Sequence, residues 1–184
     1  NGPVVVVGAG PAGSLLSIYL ARQGHEVTVY EGRADLRRHD VDSGRSINLA
    51  LATRGIVPLI DVGVIERVDA ITIPMRGRIV HAGGAPTPEP QPYGRQAPAV
   101  IHSASRSDLN AILLDAAAAT GRVRIEFGKR LESVDFDANL LRFDDDTTAP
   151  FTCRPSPVRV TNSGALGYTA ASSLKLSAAS RRCT

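Results

Sequence analysis

A glycine-rich segment directly after an apolar run constrains the fold of this chain more than any other feature. The segment GAGPAG, Gly8–Gly13, follows the β-branched run Val4–Val7, which predicts a fully buried strand, and it opens a predicted helix over about Pro11–Gln23. In such a turn the first glycine permits a tight bend, the second lets a pyrophosphate approach the backbone, and the third allows close packing of helix on strand. The helix N-terminus faces the phosphates, so the segment predicts a dinucleotide site.

A carboxylate after the next predicted strand completes this pattern. Gly24 is expected to end the helix, and EVTVY, Glu26–Tyr30, predicts a second strand before a polar loop at 32–46. Glu31 follows that strand, 18 residues after Gly13, where an acidic side chain can bind the ribose hydroxyls. Because a carboxylate repels a 2′-phosphate, the residues favour FAD or NAD over NADP as the bound dinucleotide. A purely structural glycine turn is the alternative.

The remaining pattern predicts an α/β domain with two more helices and several strands. One helix is expected over about Leu49–Val62, and another over about Asp108–Thr120 with Ser105 or Ser107 as its cap. The proline-rich residues 83–94 are expected to form a loop. Strands are expected at Ile71–Ile73, Gly77–His81, Ala99–Ser103 and Val123–Phe127, with a hairpin of Leu131–Asp137 and Leu140–Asp144.

Charge and composition argue against several classes of function. Residues 1–146 hold all 18 acidic residues and 16 of the 21 basic ones, whereas residues 147–184 hold five basic residues and no acid. The basicity therefore belongs to a tail rather than to a folded surface, and an aromatic content of 4% is low for base stacking, so we expect no nucleic-acid partner. No apolar run reaches the about 18 residues of a membrane span.

The cysteines and histidines predict no metal site. Cys153 and Cys183 lie 30 positions apart and form no metal-binding or CxxC spacing, and the four histidines show no ligand spacing either. A chain with so few cysteines and no signal-peptide pattern is expected in the reducing cytoplasm, with no membrane partner. The sequence leaves the oligomeric state open.

Four segments resemble one family of enzymes. GRSINLALATRG (Gly44–Gly55), PMRGRIVH (Pro74–His81), PYG (Pro92–Gly94) and SASRSDLN (Ser103–Asn110) occur in the order and spacing of kynurenine 3-monooxygenases, which are flavin-dependent aromatic hydroxylases. The resemblance covers residues 4 to about 145. It implies a GR2-type fold, in which a Rossmann-like FAD-binding domain is interleaved with strands of a β-sheet substrate domain, here incomplete.

The resemblance also implies which residues bind FAD. The GRSINLAL segment runs past the flavin in the family, with Ala50 as a small contact residue and Arg45 near polar atoms of the cofactor. Arg106, whose charge opposes the dipole at a helix start, is expected to face the pyrophosphate. From the residues alone, a capped helix start with solvated arginines is the favoured interpretation. Together with the glycine turn, the predicted FAD-binding residues are Gly8, Gly10, Ala12, Gly13, Tyr30, Glu31, Gly32, Arg33, Arg45, Ala50, Arg106 and Leu131.

Arg78 and Tyr93 match the pair that holds the carboxylate of the substrate amino acid in the family. A guanidinium binds a carboxylate through two hydrogen bonds, and a phenol adds a third. Without the resemblance, Arg78 is one charge on an alternating strand. The implied activity uses FAD, NADPH and O2 to hydroxylate L-kynurenine to 3-hydroxykynurenine. No catalytic side chain is expected, because the cofactor carries the chemistry. A hydroxylase of a related aromatic acid and an inactive nucleotide-binding fragment are the alternatives.

The resemblance ends where the composition changes. The family continues with a strand that ends in an Asp-Gly motif, whereas this chain reads VRVTNSGALG at 158–167. We therefore expect a domain over 1–146 that contains the FAD-binding part and some strands of the substrate sheet. Residues 147–184 are expected to be an irregular tail from a shifted reading frame or an aberrant end. An intact reading frame in the gene, with no family motif in the other frames, would contradict this origin.

Overall fold

The structure is a computed structural model that describes residues 3–38, 48–81, 87–93 and 100–152. The chain divides into two compact units, Asn1–Gly128 and Lys129–Thr184. The elements in chain order are β1 Val4–Val7, α1 Pro11–Arg22, β2 Val27–Glu31, β3 Leu49–Leu51, α2 Thr53–Asp61, α3 Ile65–Asp69, β4 Thr72–Met75, β5 Gly77–Val80, β6 Glu89–Pro92, β7 Ile101–Ala104, α4 Arg106–Ala119, β8 Val123–Phe127, β9 Leu131–Asp135, β10 Leu140–Phe143 and β11 Thr148–Pro150. Within the described ranges, none of the helices has the length and hydropathy needed to cross a membrane.

The predicted β-α-β unit is confirmed. β1 and β2 pair in parallel, with Val4 opposite Val27 and Val7 opposite Tyr30, and β8 pairs in parallel with the other edge of β2. α1 ends where Gly24 adopts a φ of +87°, a left-handed conformation that favours glycine. The predicted full burial of β1 is wrong, because only Val6 is buried, Val4 and Val5 are half-buried and Val7 is 48% exposed. Among the described strands, β1 lies at an edge of this sheet.

The residues Leu49–Leu51 form a strand, so the prediction of a helix over them is wrong. They pair antiparallel with β7 in a sheet of order β3-β7-β4, and the helix α2 begins only at Thr53. The apolar residues of this stretch satisfied a helical pattern, but pairing with a distant strand decided the outcome. A proline inside a helix predicts an interruption near Pro58, but α2 continues through it, so this expectation is wrong. α2 ends close to the predicted end at Val62, and Gly63 follows at a φ of +72°.

The proline-rich loop predicted at 83–94 contains a strand, β6, which is a second correction. β6 pairs antiparallel with β5, with Arg78 opposite Gln91 and Val80 opposite Glu89. Pro90 and Pro92 occupy the alternate positions, where an N–H would point away from the partner strand, so their missing donors cost no ladder bond. All residues of this two-stranded ribbon are exposed.

The helix α4 and the strand β8 follow the prediction closely. Ser105 is the N-cap, and its hydroxyl accepts a hydrogen bond from the backbone N–H of Asp108 at 3.4 Å. The helix packs against α1 in a core that includes Ile18 and Leu113, which are 2% and 1% exposed. α1 and α4 also contact the parallel sheet, and the glycine turn at the start of α1 therefore packs against a buried apolar cluster.

The second unit contains an antiparallel sheet of order β11-β10-β9 in its described part. The predicted hairpin is confirmed, with a turn at 136–139 that contains Asn139 at a φ of +53°. The irregular tail expected from residue 147 is wrong at Thr148–Pro150, because this stretch pairs with β10. Residues 153–184 lie outside the described part of the chain.

Candidate functional site

The glycine turn between β1 and α1 is shaped by the first and third glycines. Gly8 has a φ of +96° and donates its N–H to the carbonyl of Tyr30 at 2.8 Å, so the turn is fastened to the end of β2. A Cβ on Gly13 would lie 1.9 Å from the carbonyl oxygen of Gly8, which no side chain can tolerate. The turn and the first coil of α1 therefore require glycine at both positions.

The second glycine leaves open space at the start of α1. A Cβ on Gly10 would meet no atom within 4 Å, and Gly10 is the N-cap without any side-chain capping bond. The first turn of the helix contains no acidic residue, and Ala12 in it is exposed. Because the first N–H groups of a helix have no intrahelical acceptor, this end of α1 presents free donors and a positive dipole end. The geometry suits a bound phosphate group.

The carboxylate of Glu31 lies directly behind the turn and is 7% exposed. Its Oε2 accepts a hydrogen bond from the N–H of Ala9 at 2.7 Å, and its Oε1 accepts from the backbone N–H and the Nε of Arg33, both at 2.9 Å. Burial raises the pKa of the Glu31 carboxyl, but the hydrogen bonds from Arg33 and Ala9 outweigh burial and hold the pKa below its usual value of 4.5. Glu31 is therefore a charged group at neutral pH.

The residues beside Glu31 complete this end of the site. Tyr30 lies in β2, Gly32 is half-buried, and the side chain of Arg33 is 61% exposed while it pairs with Glu31. Bonding to Glu31 raises the pKa of the Arg33 guanidinium. An exposed guanidinium can turn towards solvent at modest cost, and this movement would release Oε1 of Glu31 for a ribose hydroxyl.

Three other predicted cofactor residues lie on separate elements. Ala50 is an exposed residue of β3 opposite Ser103, and Arg106 is the exposed first residue of α4. Leu131 begins β9 in the second unit. Arg45 lies outside the described residues. The part of the chain that the structure describes contains no group of three or more acidic, histidine or cysteine side chains that could hold a metal ion.

The predicted substrate pair lies on one face of the β5–β6 ribbon. Arg78 is opposite Gln91, and Tyr93, two residues further along, donates its backbone N–H to the carbonyl of Arg76 at 3.2 Å. Since side chains alternate along a strand, Arg78 and Tyr93 project on the same side as diagonal neighbours. The Nε of Arg78 donates to Oε1 of Gln91 at 2.7 Å. Gln91 was missed from the sequence, because residues 83–94, which contain it, were predicted to be a loop.

Comparison with known proteins identifies the fold. Residues 1–147 match the family described as FAD binding domain. The chain is similar to PqsL of P. aeruginosa in complex with 2-aminobenzoylacetate, with a TM-score of 0.61 and 24% identity over 80% of this chain and 40% of that one. It is also similar to a mutant of 2-methyl-3-hydroxypyridine-5-carboxylic acid oxygenase, with a TM-score of 0.64 and 19% identity over 80% of this chain and 37% of that one. At these identities the likeness shows the fold alone.

Curated relatives have higher identity. The chain is 50% identical over 157 residues to a kynurenine 3-monooxygenase of Myxococcus xanthus and 51% identical over 141 residues to one of Stenotrophomonas maltophilia. The matches cover 85% and 77% of this chain. They cover 33% and 30% of the relatives, so the chain spans about a third of their length.

Substitution of Gly13 and of Gly10 by alanine should affect the free energy of unfolding to different degrees. Gly13→Ala should lower the free energy of unfolding by at least about 2 kcal/mol, because its Cβ overlaps the carbonyl of Gly8. Gly10→Ala, with a φ of −71° and open space around the Cβ, should cost less than about 1 kcal/mol. Denaturant unfolding measures both. Equal losses would contradict this view of the turn.

Acid should remove the contribution of Glu31 to stability. Its pKa is lower in the folded chain than in the unfolded one, so its stabilisation is present above about pH 4.5 and is lost as the pH falls through the folded pKa. The difference in free energy of unfolding between wild type and Glu31→Gln should therefore shrink from pH 6 to pH 3. Glu26→Gln, which removes an exposed carboxylate paired with Arg122, is the control. A difference independent of pH would argue against a charged Glu31.

Proposed function

The chain belongs to the FAD-binding domain family, and on this premise we propose that its first unit binds the ADP half of FAD. The observation that carries the proposal is the arrangement around the turn. An uncapped helix N-terminus with open space at Gly10 adjoins the carboxylate of Glu31, which is fastened to the N–H of Ala9. A pyrophosphate needs the first feature, and a ribose needs the second.

Each residue of the proposed site has a distinct physical role. The backbone at Gly10, Ala12 and Gly13 donates hydrogen bonds to the pyrophosphate. Glu31 accepts hydrogen bonds from ribose hydroxyls, and Arg33 turns aside to allow them. The further residues proposed to contact the cofactor are Gly8, Tyr30, Gly32, Arg45, Ala50, Arg106 and Leu131.

We further propose that the protein hydroxylates L-kynurenine to 3-hydroxykynurenine in the manner its relatives' names indicate. The balanced reaction consumes the aromatic substrate, O2, NADPH and a proton, and yields the phenol, NADP⁺ and water. FAD, when bound and reduced by NADPH, supplies the activation of O2. The protein orients the substrate ring and keeps water from the reacting atoms. We infer a reducing, cytoplasmic setting from the low number of cysteines.

Arg78 and Tyr93 would hold the substrate carboxylate. Because Nε of Arg78 already donates to Gln91, the two terminal nitrogens of the guanidinium remain for a carboxylate, which they can bind end-on. The phenol of Tyr93 lies on the same side of the ribbon and can donate one more hydrogen bond. This pair would select for an acid without taking part in the oxidation.

A second candidate is a nucleotide-binding fragment without hydroxylase activity. The observation that favours it is the contrast between the two sites: Glu31 is buried and held by hydrogen bonds, whereas Arg78 stands on a ribbon whose residues are all exposed. Both candidates require the same ADP site, and they differ in whether kynurenine stimulates NADPH oxidation.

Flavin binding tests the shared part of the proposal. The purified chain titrated with FAD should show saturable binding by flavin absorbance and fluorescence, and Glu31→Gln should weaken it about tenfold, since a hydrogen bond to a charged acceptor is lost. Glu26→Gln should bind as wild type does. A chain that binds neither FAD nor ADP would refute the site. Binding without kynurenine-stimulated NADPH oxidation would establish the fragment instead of the enzyme.

The role of Arg78 predicts a selective effect. Arg78→Ala should raise the kynurenine concentration for half-maximal NADPH oxidation by at least about fivefold, the effect of about 1 kcal/mol. For an analogue of kynurenine that lacks the amino-acid carboxylate, Arg78→Ala should leave the half-maximal concentration unchanged. Arg124→Ala, which removes an exposed arginine paired with Glu126 in β8, should change neither. An equal loss for both compounds would assign Arg78 to folding rather than to recognition.

A further inference from the structure

We propose that Arg37 is a positioning residue, which with Asp115 fixes the loop after β2 and thereby sets the position of Glu31. The proposal rests on the ADP site described above. The hydrogen bonds of Arg37 go to Asp35 and Asp115, so Arg37 acts through the loop that carries Arg33. Four steps lead from the guanidinium of Arg37 to the turn at Ala9.

The first step is the bond between Arg37 and Asp35. Asp35 is 8% exposed, and its Oδ1 accepts from the backbone N–H of Arg37 at 3.1 Å and from its Nε at 2.9 Å. Its Oδ2 accepts from a terminal nitrogen of the same guanidinium at 2.7 Å. The fork of the arginine therefore matches both carboxylate oxygens, the geometry in which such pairs are strongest. Bonding to Arg37 holds the pKa of Asp35 below its usual value.

The second step connects this pair to the body of the unit. The other terminal nitrogen of Arg37 donates to Oδ1 of Asp115 in α4 at 3.2 Å. The guanidinium carbon also lies 5.8 Å from the centre of the Phe127 ring in β8. The side chain of Arg37 is only 24% exposed. One side chain thus joins the loop, the helix α4 and the sheet.

The third and fourth steps lead back to the turn. The N–H of Gly128 donates to the carbonyl of Arg33 at 3.2 Å, so the loop is fastened on one side of Asp35 by this bond and on the other by Arg37. The backbone of Arg33, held in that position, donates its N–H to Oε1 of Glu31, a bond that remains when the Arg33 side chain turns aside. The other oxygen of Glu31 accepts from the N–H of Ala9. A loop released at Arg37 would shift Arg33 and with it the carboxylate.

Asp35, Arg37 and Asp115 together form a clamp on the loop after β2, and the contact of this clamp with α4 has a further consequence. α4 begins at Arg106, the residue proposed to face the pyrophosphate, and carries Asp115 further along. Arg37 therefore joins the ribose end of the proposed site to the helix that presents Arg106. A dinucleotide site must keep a constant distance between its ribose end and its pyrophosphate end, and rigid supporting contacts keep this distance constant.

Neighbouring arginines provide matched controls. Arg67 donates to the other oxygen of Asp115 at 2.9 Å and belongs to α3 rather than to the loop. Arg38 lies 3.6 Å from Oδ2 of Asp35, but its side chain is 80% exposed. Exposed pairs of this kind contribute little. Both controls change charge by the same amount as Arg37→Gln.

The test compares Arg37→Gln and Asp115→Asn with Arg67→Gln and Arg38→Gln in the 184-residue chain. The first readout is the amide proton of Ala9 by NMR, whose chemical shift reports its hydrogen bond to Glu31 without any ligand. The second is the dissociation constant for ADP. The two clamp variants should move the Ala9 resonance upfield and weaken ADP binding about fivefold. Arg37→Lys, which keeps the charge but loses the fork, should recover part of both effects.

Several results would overturn the proposal. These are an unchanged Ala9 resonance in Arg37→Gln, or equal effects from Arg67→Gln or Arg38→Gln. If Arg37→Gln does not fold, Asp115→Asn decides by the same two readouts. It weakens the bonds of Asp115 to Arg37 and Arg67 but leaves the pair of Arg37 with Asp35 intact, and Arg67→Gln accounts for the Arg67 bond. If the wild type does not bind ADP, the proposed function fails, and the Ala9 resonance still decides whether the clamp positions Glu31.

Discussion

The hydrogen bond between the carboxylate of Glu31 and the N–H of Ala9 is the interaction on which the proposed site depends. Parallel pairing of β1 with β2 brings the ends of both strands to one edge, so that an acid after β2 reaches the turn after β1. Burial of a charge is costly unless several donors meet it, and here Ala9 and Arg33 supply them. The same bonds keep Glu31 ionised and hold its carboxylate against the turn at Ala9.

The sequence was most informative where one local feature determines the conformation. The three glycines of the turn, Gly24 after α1 and the cap at Ser105 each act within a few residues, and all of these local structures formed as predicted. Backbone sterics at a positive φ and a side-chain cap do not depend on distant partners. For this reason the β-α-β unit could be predicted with its approximate ends, whereas the predicted role of Gly10, to let a pyrophosphate approach, stays a prediction.

The errors lie where a partner distant in sequence decides the conformation. Leu49–Leu51 became a strand because β7 accepts it, and Glu89–Pro92 did so because β5 lies beside it. The same limit applies to the site. The contact of Arg37 with Asp115 spans 78 residues, and no short motif reports it. The bond from Ala9 to Glu31 is a further case, since a backbone donor carries no residue-specific signal.

The cofactor and substrate parts of the proposed site differ in how far the described residues can account for them. Glu31 is buried and held by hydrogen bonds, so the bond proposed between Glu31 and a ribose does not depend on a further covering element. Arg78 and Tyr93 stand on a ribbon whose residues are all exposed. In water a guanidinium–carboxylate pair contributes little, because solvent competes for both groups. Selection of an acid by Arg78 therefore requires that other residues exclude water from that face of the ribbon.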